Sequence, residues 1–452
     1  MADSIGIVIL AAGKGTRLKI DMAKALCPLQ GKTLVDYVLQ HIKNFEELSK
    51  ANTESTLVVG HKREDVMERT AKYWPEVSFA WQKEQKGTAH ALQTYFEQTA
   101  GAWEKDLTLV VCADTPLISE KEYLSLYNEL KQDLSLEAVA AVFETENPTG
   151  YGRIVSGNKG FEIVEEKDAS AEQKNIKQVN SGLYLFRTEH IKKRLSSIAD
   201  NNKSGEFYLT DLFKKEFKVK ALSFDDPVRF LGVNNLVQLE EASKVLQKEK
   251  IAGLQLEGVR FLNSSSCYIE DSVKIGLGSV IYPNVVMEGE VEVGENCVIE
   301  AGTLLRNTKV GPNSYILANS HLDGASLDAS VKAGPMARIR PGSHIQEGCK
   351  IGNFVETKNA NLGKNVSVSH LSYVGDADVG ENTNLGCGFI TCNYDGDKKH
   401  KTIIGKNCFI GSDSQMIAPV TLGDDVFVAS GSTINKDIPA GGFGIARERQ
   451  PT

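Results

Sequence analysis

Short apolar runs alternate with amphipathic patterns through the first half of the chain. The apolar runs at residues 8–10, 56–59, 107–111 and 138–142 predict buried strands. Between them, apolar residues spaced three or four apart predict helices at 34–42, 63–73, 88–97 and 121–131. This alternation continues from Ile5 to about Val233 and indicates a mostly parallel sheet with helices on both faces. In such sheets, ligands bind beyond the carboxyl ends of the strands.

The second half of the chain has a period of six residues. Apolar residues occupy every sixth position in two runs, which are Ile275, Ile281, Met287, Val293, Ile299, Leu305, and Ile404, Ile410, Met416, Leu422, Val428, Ile434. Glycine follows several of them, and we expect it to form the corners. This hexapeptide pattern is typical of a parallel β-helix, in which each aliphatic side chain points into the shaft. Residues 275–434 then correspond to about nine three-sided coils.

Two segments do not follow either pattern. Residues 235–251 form a charged helical segment, which we interpret as a connecting arm. Residues 393–401 interrupt the hexads, so we expect an excursion from the shaft that is either a binding loop or a solvated basic loop. The sequence therefore predicts an α/β chain in three parts. These are a Rossmann-like domain at 1–233, a linker helix at 234–252, and a left-handed parallel β-helix of hexapeptide repeats with a C-terminal tail at 253–452.

A glycine loop at residues 10–17 follows the first predicted strand directly. Gly13 and Gly15 let a polyphosphate approach the backbone, and Lys14, Arg17 and Lys24 supply positive charge. A Walker loop needs four residues between its glycines, and a dinucleotide fingerprint needs a third glycine at position 18, where this chain has leucine. The loop therefore predicts a different kind of phosphate site. The alternative is an ordinary strand-to-helix turn with surface cations.

Two further residues are candidates for chemistry. Asp114 follows a buried strand, where a carboxylate suits Mg²⁺ bound to phosphates, although it could also be a turn former before Thr-Pro. His370 lies in the solenoid, and its reference pKa of about 6.5 suits proton abstraction. Alone it could be structural, but Arg340, Lys358 and Tyr373 lie within the same few coils and could bind an anion and a sugar.

Composition narrows the class of protein. A length of 452 residues predicts more than one domain, and 41% hydrophobic with 24% charged residues is ordinary for a globular protein. A net charge of −8 argues against a general nucleic-acid binder, and no apolar run is long enough to span a bilayer. The first residues have no basic region, and the eight cysteines have no paired metal spacing. We therefore expect a cytoplasmic protein with free thiols.

Taken in order, these motifs resemble those of the bifunctional N-acetylglucosamine-1-phosphate uridyltransferases and glucosamine-1-phosphate acetyltransferases. The likeness covers nearly the whole chain. In the first half it rests on the motifs at 10–17, 24, 82, 87–90, 114–116, 148–154, 163–169, 180–182 and 232–235. In the solenoid it rests on those at 337–342, 352–356, 370–376 and 390–396. The glycine loop is shared with many sugar nucleotidyltransferases, whereas the solenoid motifs are much more specific.

For the solenoid, the resemblance implies acetyl transfer from acetyl-CoA to the amine of glucosamine 1-phosphate. His370 is then the general base, and Glu356 orients it. The residues implied for glucosamine 1-phosphate are Arg340, Lys358, Tyr373 and Asn384. The residues implied for acetyl-CoA are Cys387, Asn393, Tyr394, Ser412, Ser430 and Arg447.

For the first domain, the resemblance implies that the phosphate of N-acetylglucosamine 1-phosphate attacks the α-phosphorus of UTP and releases pyrophosphate. Arg17 and Lys24 then neutralise the triphosphate during catalysis, and Asp114 and Asn234 hold Mg²⁺. The loop residues implied for the nucleotide are Leu10, Ala11, Ala12 and Gly13, and those implied for the uracil are Gln82, Gly87 and Thr88. The residues implied for the sugar are Gly152, Glu165 and Asn180.

The resemblance also implies partners. Members of this family are trimers with acetyl sites between neighbouring solenoids, so we expect a homotrimer that binds small molecules and neither nucleic acid nor a membrane. One alternative is a single-activity sugar-1-phosphate nucleotidyltransferase with a structural β-helix, which would lack the motifs at 370–373 and 393–396. Another is a non-catalytic scaffold of the exchange-factor type, whose phosphate loop need not retain Arg17 and Lys24.

Several positions depart from the pattern of this family. Ala23 replaces a proline before the loop lysine, so we expect a more flexible loop, and Ala113 replaces a glycine in contact range of the nucleotide. Cys387, Phe389 and Ser430 replace small residues in the solenoid. We expect the Cys387 thiol to line the acetyl-CoA pocket.

Overall fold

The computed structural model describes residues 3–157, 160–213 and 218–448. The chain divides into two compact units between Lys244 and Val245. The first unit is α/β and the second is a solenoid of short strands. The predicted domain boundaries at 233 and 252 remain predictions, and residues 449–452 of the predicted tail lie outside the described residues.

The elements of the first unit follow the predicted alternation. Its strands are β1 (Ser4–Ala11), β2 (Pro28–Leu29), β3 (Lys32–Thr33), β4 (Asn52–Val59), β5 (Ser78–Trp81), β6 (Leu107–Cys112), β7 (Ala138–Glu144), β8 (Arg153–Gly157), β9 (Gly160–Val164), β10 (Gln178–Arg187) and β11 (Val219–Phe224). Its helices are α1 (Leu34–Ser49), α2 (Arg63–Tyr73), α3 (Thr88–Gln98), α4 (Glu120–Gln132) and α5 (Thr188–Leu195). The four predicted strands and four predicted helices are confirmed. The charged segment is also helical, as α6 (Leu236–Leu256).

The main sheet of this unit has the strand order β11-β7-β10-β6-β1-β4-β5. β1 is parallel to β4 and β6, and β4 is parallel to β5. β10 runs antiparallel to both β6 and β7, and the β8–β9 hairpin pairs with it. The predicted mostly parallel sheet is therefore confirmed, with one reversed strand that the apolar pattern did not reveal.

Both faces of this sheet are covered because alternate side chains of its central strands are buried on opposite sides. Ile5, Ile7 and Ile9 pack in the core that contains α1 and α4, whereas Val8 and Val110 pack in the core that contains α3 and α5. Capping boxes fix where two of the helices begin: Thr33 with Asp36 before α1, and Ser119 with Glu122 before α4. Each such cap contributes about 1 kcal/mol.

The second unit is a three-sided parallel β-helix. Face 1 consists of Arg260–Phe261, Val280–Ile281, Val298–Ile299, Tyr315–Ile316, Lys332–Ala333, Lys350–Asn353, Ser367–His370, Asn384–Leu385, Phe409–Ile410, Phe427–Val428 and Phe443–Gly444. Face 2 consists of Tyr268–Ile269, Val286–Glu288, Leu304–Arg306, His321–Asp323, Arg338–Ile339, Ile390–Cys392, Gln415–Ile417 and Thr433–Ile434. Face 3 consists of Lys274–Ile275, Glu292–Val293, Lys309–Val310, Ser326–Leu327, His344–Ile345, Thr402–Ile404 and Val420–Leu422, while Glu356–Leu362 and Tyr373–Val379 bend across faces 2 and 3.

The hexad residues form the interior of this shaft, as predicted. All twelve aliphatic residues of the two predicted runs are buried, the most exposed being Ile275 at 6%. Parallel pairing repeats from coil to coil, for example Ile281 with Ile299 and Ile410 with Val428. The predicted fold class is therefore confirmed. Within the described residues, no helix is both long and apolar enough to cross a membrane.

The corners are formed differently from the prediction. Gly276 follows a buried isoleucine, and a Cβ there would lie 2.6 Å from the backbone nitrogen of Glu295 on the next coil, so this glycine permits close approach of coils. The chain bends three residues after the aliphatic residue, where Asn296 and Asn382 have φ of 54° and 60°. Asparagine tolerates this left-handed conformation better than other residues with side chains. The predicted excursion is confirmed: Tyr394 and Lys399 form an antiparallel bridge outside the shaft.

Candidate active sites

The first candidate site is a cleft at the carboxyl ends of β1 and β6. Leu10 pairs with Cys112, and the Ala113 N–H donates to the Leu10 carbonyl at 3.0 Å, so the two strands end side by side. The cleft has a volume of about 330 Å³. It is lined by Leu10, Ala11, Ala12, Gly13, Lys24, Ala25, Gln82, Gln85, Gly87, Thr88, Ala91, Cys112, Ala113, Asp114 and Glu206. Nine of the residues implied for the nucleotide are thus brought together from four separate segments.

Cations and oxygen ligands meet in this cleft. Lys24 Nζ donates to Asp114 Oδ2 and, at 2.8 Å, to Asn234 Oδ1. Arg17 Nη2 donates to the same Asn234 oxygen at 2.9 Å. The Val233 N–H donates to the Asp114 carbonyl at 2.8 Å, which joins the segment at 232–234 to the end of β6. Two of the three predicted cations, Arg17 and Lys24, therefore form one cluster with the two predicted metal ligands.

The glycine loop owes its shape to one of its two glycines. Gly15 has φ of 59°, and a Cβ there would lie 2.9 Å from Lys24 Cβ, so only glycine fits without displacement. Gly13 faces open space, because a Cβ on it would have no neighbour within 4 Å. Ala23 has φ of −63° and ψ of 135°, dihedral angles that proline also adopts.

One wall of the cleft is fixed by Gln82 and Gly87. Gln82 is 2% exposed, and its Nε2 donates to the Gly87 carbonyl at 3.1 Å and lies 2.9 Å from His90 Nδ1. Gly87 has φ of 115°, and a Cβ there would lie 2.4 Å from the Phe207 carbonyl oxygen. Thr88 Oγ1 accepts the Leu209 N–H at 3.0 Å. The segment around Phe207 therefore holds the residues implied for the uracil in place.

The three residues implied for the sugar also lie together. A Cβ on Gly152 would be 3.6 Å from Asn180 Cβ and 3.7 Å from Glu165 Cδ. Asn180 Nδ2 donates to the Tyr184 hydroxyl at 2.6 Å, which fixes the orientation of the amide. Burial raises the pKa of the Glu165 carboxyl, opposed by a hydrogen bond from Thr210 at 2.9 Å. These side chains can offer hydrogen bonds to sugar hydroxyl and amide groups.

The second candidate site follows the corner between faces 1 and 2 of the solenoid. His370, Cys387, Ser412 and Ser430 each precede the left-handed residue at this corner, on four consecutive coils. We call this row the corner column. Its rungs are joined by backbone hydrogen bonds, as from the Asp413 N–H to the Cys387 carbonyl at 2.7 Å. The predicted base and three residues implied for acetyl-CoA are therefore aligned along the shaft.

The orientation of His370 depends on a residue that the sequence did not indicate. His370 Nδ1 lies 3.0 Å from Asn353 Oδ1, one coil below. When Nδ1 carries the proton and donates to this oxygen, Nε2 is free to accept a proton. In the part of the chain that the structure describes, Glu356 makes no hydrogen bond to His370. It accepts one from Arg340 Nη1 at 2.7 Å instead, with Arg338 Nη1 at 3.6 Å.

Cations gather at the other end of face 2, where Asn359 and Asp376, with φ of 47° each, form the corner between faces 2 and 3. The adjacent Lys399 ammonium, helped by Arg340, lowers the pKa of Lys358. Lysines this close repel one another unless an anion lies between them, so the cluster is suited to a phosphate. Tyr373 lies one coil above Glu356, and its ring covers Gly375, where a Cβ would lie 2.3 Å from the tyrosine hydroxyl.

The remaining predicted residues lie on faces 1 and 2 of the same coils or just beyond them. Asn384 lies on face 1, one coil above the strand of His370. Asn393 is 9% exposed, and its amide donates to Asp376, whereas Tyr394 is 61% exposed. The carboxylate of Asp395 stabilises the excursion, because its hydrogen bonds from the backbone N–H groups of residues 398 and 397 hold the pKa of Asp395 well below its usual range.

The residues that depart from the family pattern lie in different environments. Cys387 is exposed at its corner, whereas Phe389 is completely buried inside the shaft. Ala113 is 2% exposed and lines the cleft beside Cys112. Burial raises the pKa of the Cys112 thiol to about 12.

Sequence reasoning missed several residues of these sites, among them Asn353, Lys399, Cys112 and Glu206. Asn353 lies in the motif at 352–356 and Lys399 in the interruption at 393–401, so both were within recognised segments. Cys112 ends the predicted strand that precedes Asp114. Glu206 reaches the cleft from a segment with no sequence signal.

Comparisons with known proteins agree with this division. A nucleotidyl transferase family model matches residues 7–227. Models of the bacterial transferase hexapeptide (six repeats) and of the hexapeptide repeat of succinyl-transferase match residues 401–436 and 267–306. The chain is 42% identical to the "Bifunctional protein GlmU" of Acetivibrio thermocellus over 98% of this chain and 95% of the relative. Proteins of the same name from Geotalea uraniireducens and Listeria monocytogenes serotype 4a are 38% and 40% identical, over 99% and 98% of this chain and 97% and 96% of the relatives.

Proposed function

Because the chain belongs to the family of bifunctional GlmU proteins, we propose that it makes UDP-N-acetylglucosamine in two steps at two separate sites. The solenoid transfers an acetyl group from acetyl-CoA to glucosamine 1-phosphate. The cleft then joins N-acetylglucosamine 1-phosphate to the uridylyl group of UTP. The observation that supports the acetyltransferase assignment is the corner column, in which His370 stands in one row with three residues that we propose bind acetyl-CoA.

In acetyl transfer, His370 acts as general base through Nε2. It takes the proton from the sugar amine as the nitrogen forms a bond to the thioester carbonyl carbon. The carbon–sulfur bond then breaks, and the CoA sulfur leaves as a thiolate that receives a proton. Asn353 holds the ring so that Nε2 faces the substrate. Such a positioned base contributes about 10²–10⁴-fold to the rate.

The sugar phosphate binds to the cations at the end of face 2. Arg340, Lys358 and Lys399 attract it, with Tyr373 and Asn384 completing the sugar site. Glu356 positions the Arg340 guanidinium by accepting its hydrogen bond.

Acetyl-CoA follows the corner column. Its contacts are Cys387, Ser412 and Ser430 along the column, Asn393 and Tyr394 in the excursion, and Arg447 beyond the last rung.

In uridyl transfer, a phosphate oxygen of N-acetylglucosamine 1-phosphate attacks the α-phosphorus, and the bond to the β-phosphate oxygen breaks to release pyrophosphate. Lys24 and Arg17 neutralise the charge on the phosphates, which is most of what a protein contributes to such a reaction. Gln82, Gly87 and Thr88 bind the uracil, and the group around Glu165 binds the sugar.

Mg²⁺ fits the same cleft. Asp114 and Asn234 both direct an oxygen at the Lys24 ammonium, so two hard oxygen ligands already converge on one positive charge. When bound, the metal supplies positive charge to the phosphates. The two residues would hold it, and Lys24 would then be free to bind phosphate.

Family membership supports a proposal for the assembly and the location. We propose a homotrimer in the cytoplasm whose partners are glucosamine 1-phosphate, acetyl-CoA and UTP. Sedimentation of the purified chain measures the assembly, and a monomer at working concentration would contradict it.

The deciding experiment for the function follows CoA thiol release from acetyl-CoA in the presence of glucosamine 1-phosphate. Release that requires the amino sugar phosphate supports acetyl transfer. A protein that produces pyrophosphate from UTP and N-acetylglucosamine 1-phosphate but releases no CoA would be a single-activity nucleotidyltransferase with a structural β-helix.

A further inference from the structure

Arg153 is a buried arginine next to the proposed sugar subsite, which consists of Gly152, Glu165 and Asn180. It begins β8 directly after Gly152, and only 1% of its surface is exposed. Removing a guanidinium from water is costly unless its charge is paired and its N–H groups donate hydrogen bonds. The contacts of Arg153 therefore show what its burial achieves.

The guanidinium of Arg153 joins three parts of the chain. Its Nη1 donates to the Tyr151 carbonyl, and its Nη2 donates to Glu166 Oε2 at 2.6 Å and to the Lys174 carbonyl at 3.4 Å. The same Glu166 oxygen accepts the Gly150 N–H at 3.4 Å. One side chain therefore holds together three stretches that are separated in the sequence.

Two of these stretches carry residues of the sugar subsite. Gly152 directly precedes Arg153, and the Asn180 N–H donates to the Gly152 carbonyl at 2.9 Å. Glu165 directly precedes Glu166, the ion-pair partner of the arginine. A Cβ on Gly152 would lie 3.7 Å from Glu165 Cδ, so a shift of either stretch changes the spacing across the subsite.

The planar guanidinium fixes this spacing in a way that a lysine ammonium would not. Its Nη1 and Nη2 donate in directions set by the plane of the group, one toward the Tyr151 carbonyl and the other toward Glu166. Burial raises the pKa of the Glu166 carboxyl, but the hydrogen bond and the charge of Arg153 more than offset this and hold that pKa below its usual range. The pair is therefore charged at neutral pH, and its two partners are held in one relative position.

Stability alone does not explain this arginine. In the part of the chain that the structure describes, the Arg153 Nε is buried and makes no hydrogen bond. Apolar side chains of similar volume often stabilise a buried position as well as an ion pair does. The arginine is thus an inefficient means of stabilising the fold and an effective means of fixing the position of its partners.

We propose that Arg153 is a positioning residue for the sugar subsite: it sets the separation of Gly152 from Glu165 and so determines affinity and selectivity for N-acetylglucosamine 1-phosphate. This inference rests on the proposed uridyltransferase function and adds a residue that acts through others. Its three hydrogen-bond partners in the described chain are not among the residues that line the nucleotide cleft. Binding of UTP should therefore not depend on Arg153.

The test compares the two substrates of uridyl transfer in Arg153→Lys, each measured with the other saturating. The KM for N-acetylglucosamine 1-phosphate should rise about 10- to 100-fold, as for a displacement of about 1 Å, while the KM for UTP stays within about twofold. The kcat/KM ratio of this substrate to glucose 1-phosphate, which lacks the acetamido group, should fall about tenfold. Because KM does not depend on the amount of folded enzyme, partial unfolding would not produce this pattern.

The double variant Arg153→Met with Glu166→Gln separates positioning from stability. It removes both charges and fills the buried position with an apolar side chain, so the urea midpoint should be close to that of the wild type. The KM for N-acetylglucosamine 1-phosphate should nevertheless stay raised, as in Arg153→Lys. A wild-type KM in the double variant would show that the arginine acts only through stability and would overturn the proposal.

Arg69→Lys is the matched control. The Arg69 Nη2 donates to Asp36 at 2.9 Å, and its Nη1 is also buried without a partner in the described chain. This variant should change neither KM. An unchanged KM for the sugar phosphate in Arg153→Lys, or equal rises in both KM values, would overturn the proposal. A wild type that releases no pyrophosphate from UTP and N-acetylglucosamine 1-phosphate would instead refute the proposed uridyltransferase function.

Discussion

Replacing Gly87 by alanine should damage the nucleotide cleft and leave the solenoid unaffected. Gly87 has φ of 115°, and the added Cβ would lie 2.4 Å from the Phe207 carbonyl oxygen and 2.8 Å from its nitrogen. Ordinary contact begins at 3.4 Å, so the two segments must separate by about 1 Å. That movement strains two backbone hydrogen bonds, from Phe207 N–H to Lys86 at 2.7 Å and from Ala89 N–H to Phe207 at 2.9 Å.

The expected cost follows from these contacts. The backbone at Gly87, with ψ of 176°, lies in a region almost exclusive to glycine, which costs an alanine about 1–3 kcal/mol. Loss of the two hydrogen bonds adds about 1–3 kcal/mol. We therefore expect Gly87→Ala to lower the unfolding free energy of the first unit by about 3 kcal/mol in urea titrations. Because Thr88 and Gln82 contact this wall, the KM for UTP should rise at least tenfold, while acetyl transfer stays within twofold of the wild type.

Gly101→Ala is the control for a residue with positive φ that has no steric clash. Gly101 has φ of 72°, but a Cβ there would meet nothing closer than 3.8 Å. It should cost about 1 kcal/mol and leave the KM for UTP unchanged. If Gly87→Ala destabilised the protein no more than Gly101→Ala, or if it impaired acetyl transfer as strongly as uridyl transfer, the reasoning would be refuted.

Three other predictions test the sites. His370→Ala should abolish acetyl transfer and spare uridyl transfer, and Asp114→Ala should do the reverse; loss of both activities in either folded variant would contradict two separate sites. Alkylation of exposed Cys387 should block acetyl transfer and spare uridyl transfer, with acetyl-CoA protecting the thiol, and a lack of protection would place it outside the pocket. Ala23→Pro should raise the urea midpoint of the first unit, corresponding to about 0.4–1 kcal/mol, because the native dihedral angles already suit proline; a lower midpoint would show that they do not.

Periodic features of the fold could be predicted from the sequence because they depend on local spacing. A buried strand or a hexad repeats its pattern within a few residues, so β1, β6 and the shaft interior were evident. The reversed strand β10 was not, because its direction is set by pairing with β6 and β7 rather than by its own composition. The left-handed corners also escaped notice, since asparagines such as Asn382 carry the signal three residues after the aliphatic positions.

Some parts of the candidate sites could be predicted from the sequence, and others could not. The cluster of Arg17, Lys24 and Asp114 was expected from residues that end neighbouring strands or follow them in a loop. The group of Gly152, Glu165 and Asn180 comes from three segments that only the fold unites, and the sequence indicated it only through resemblance. Asn353 was missed because its contact with His370 is made between coils.

The excursion at residues 393–401 leaves the shaft and returns to it without disturbing the coils that follow. Hexads on both sides remain in phase, and Ala377 on one side pairs directly with Thr402 on the other. A loop added at a corner therefore leaves the phase of the coils unchanged, whereas an insertion of a single hexad would move every later residue onto the wrong face. Within the shaft, length can change only by whole coils of about 4.8 Å. The distance along the shaft between His370 and the distal end of the donor can therefore change only in steps of one coil.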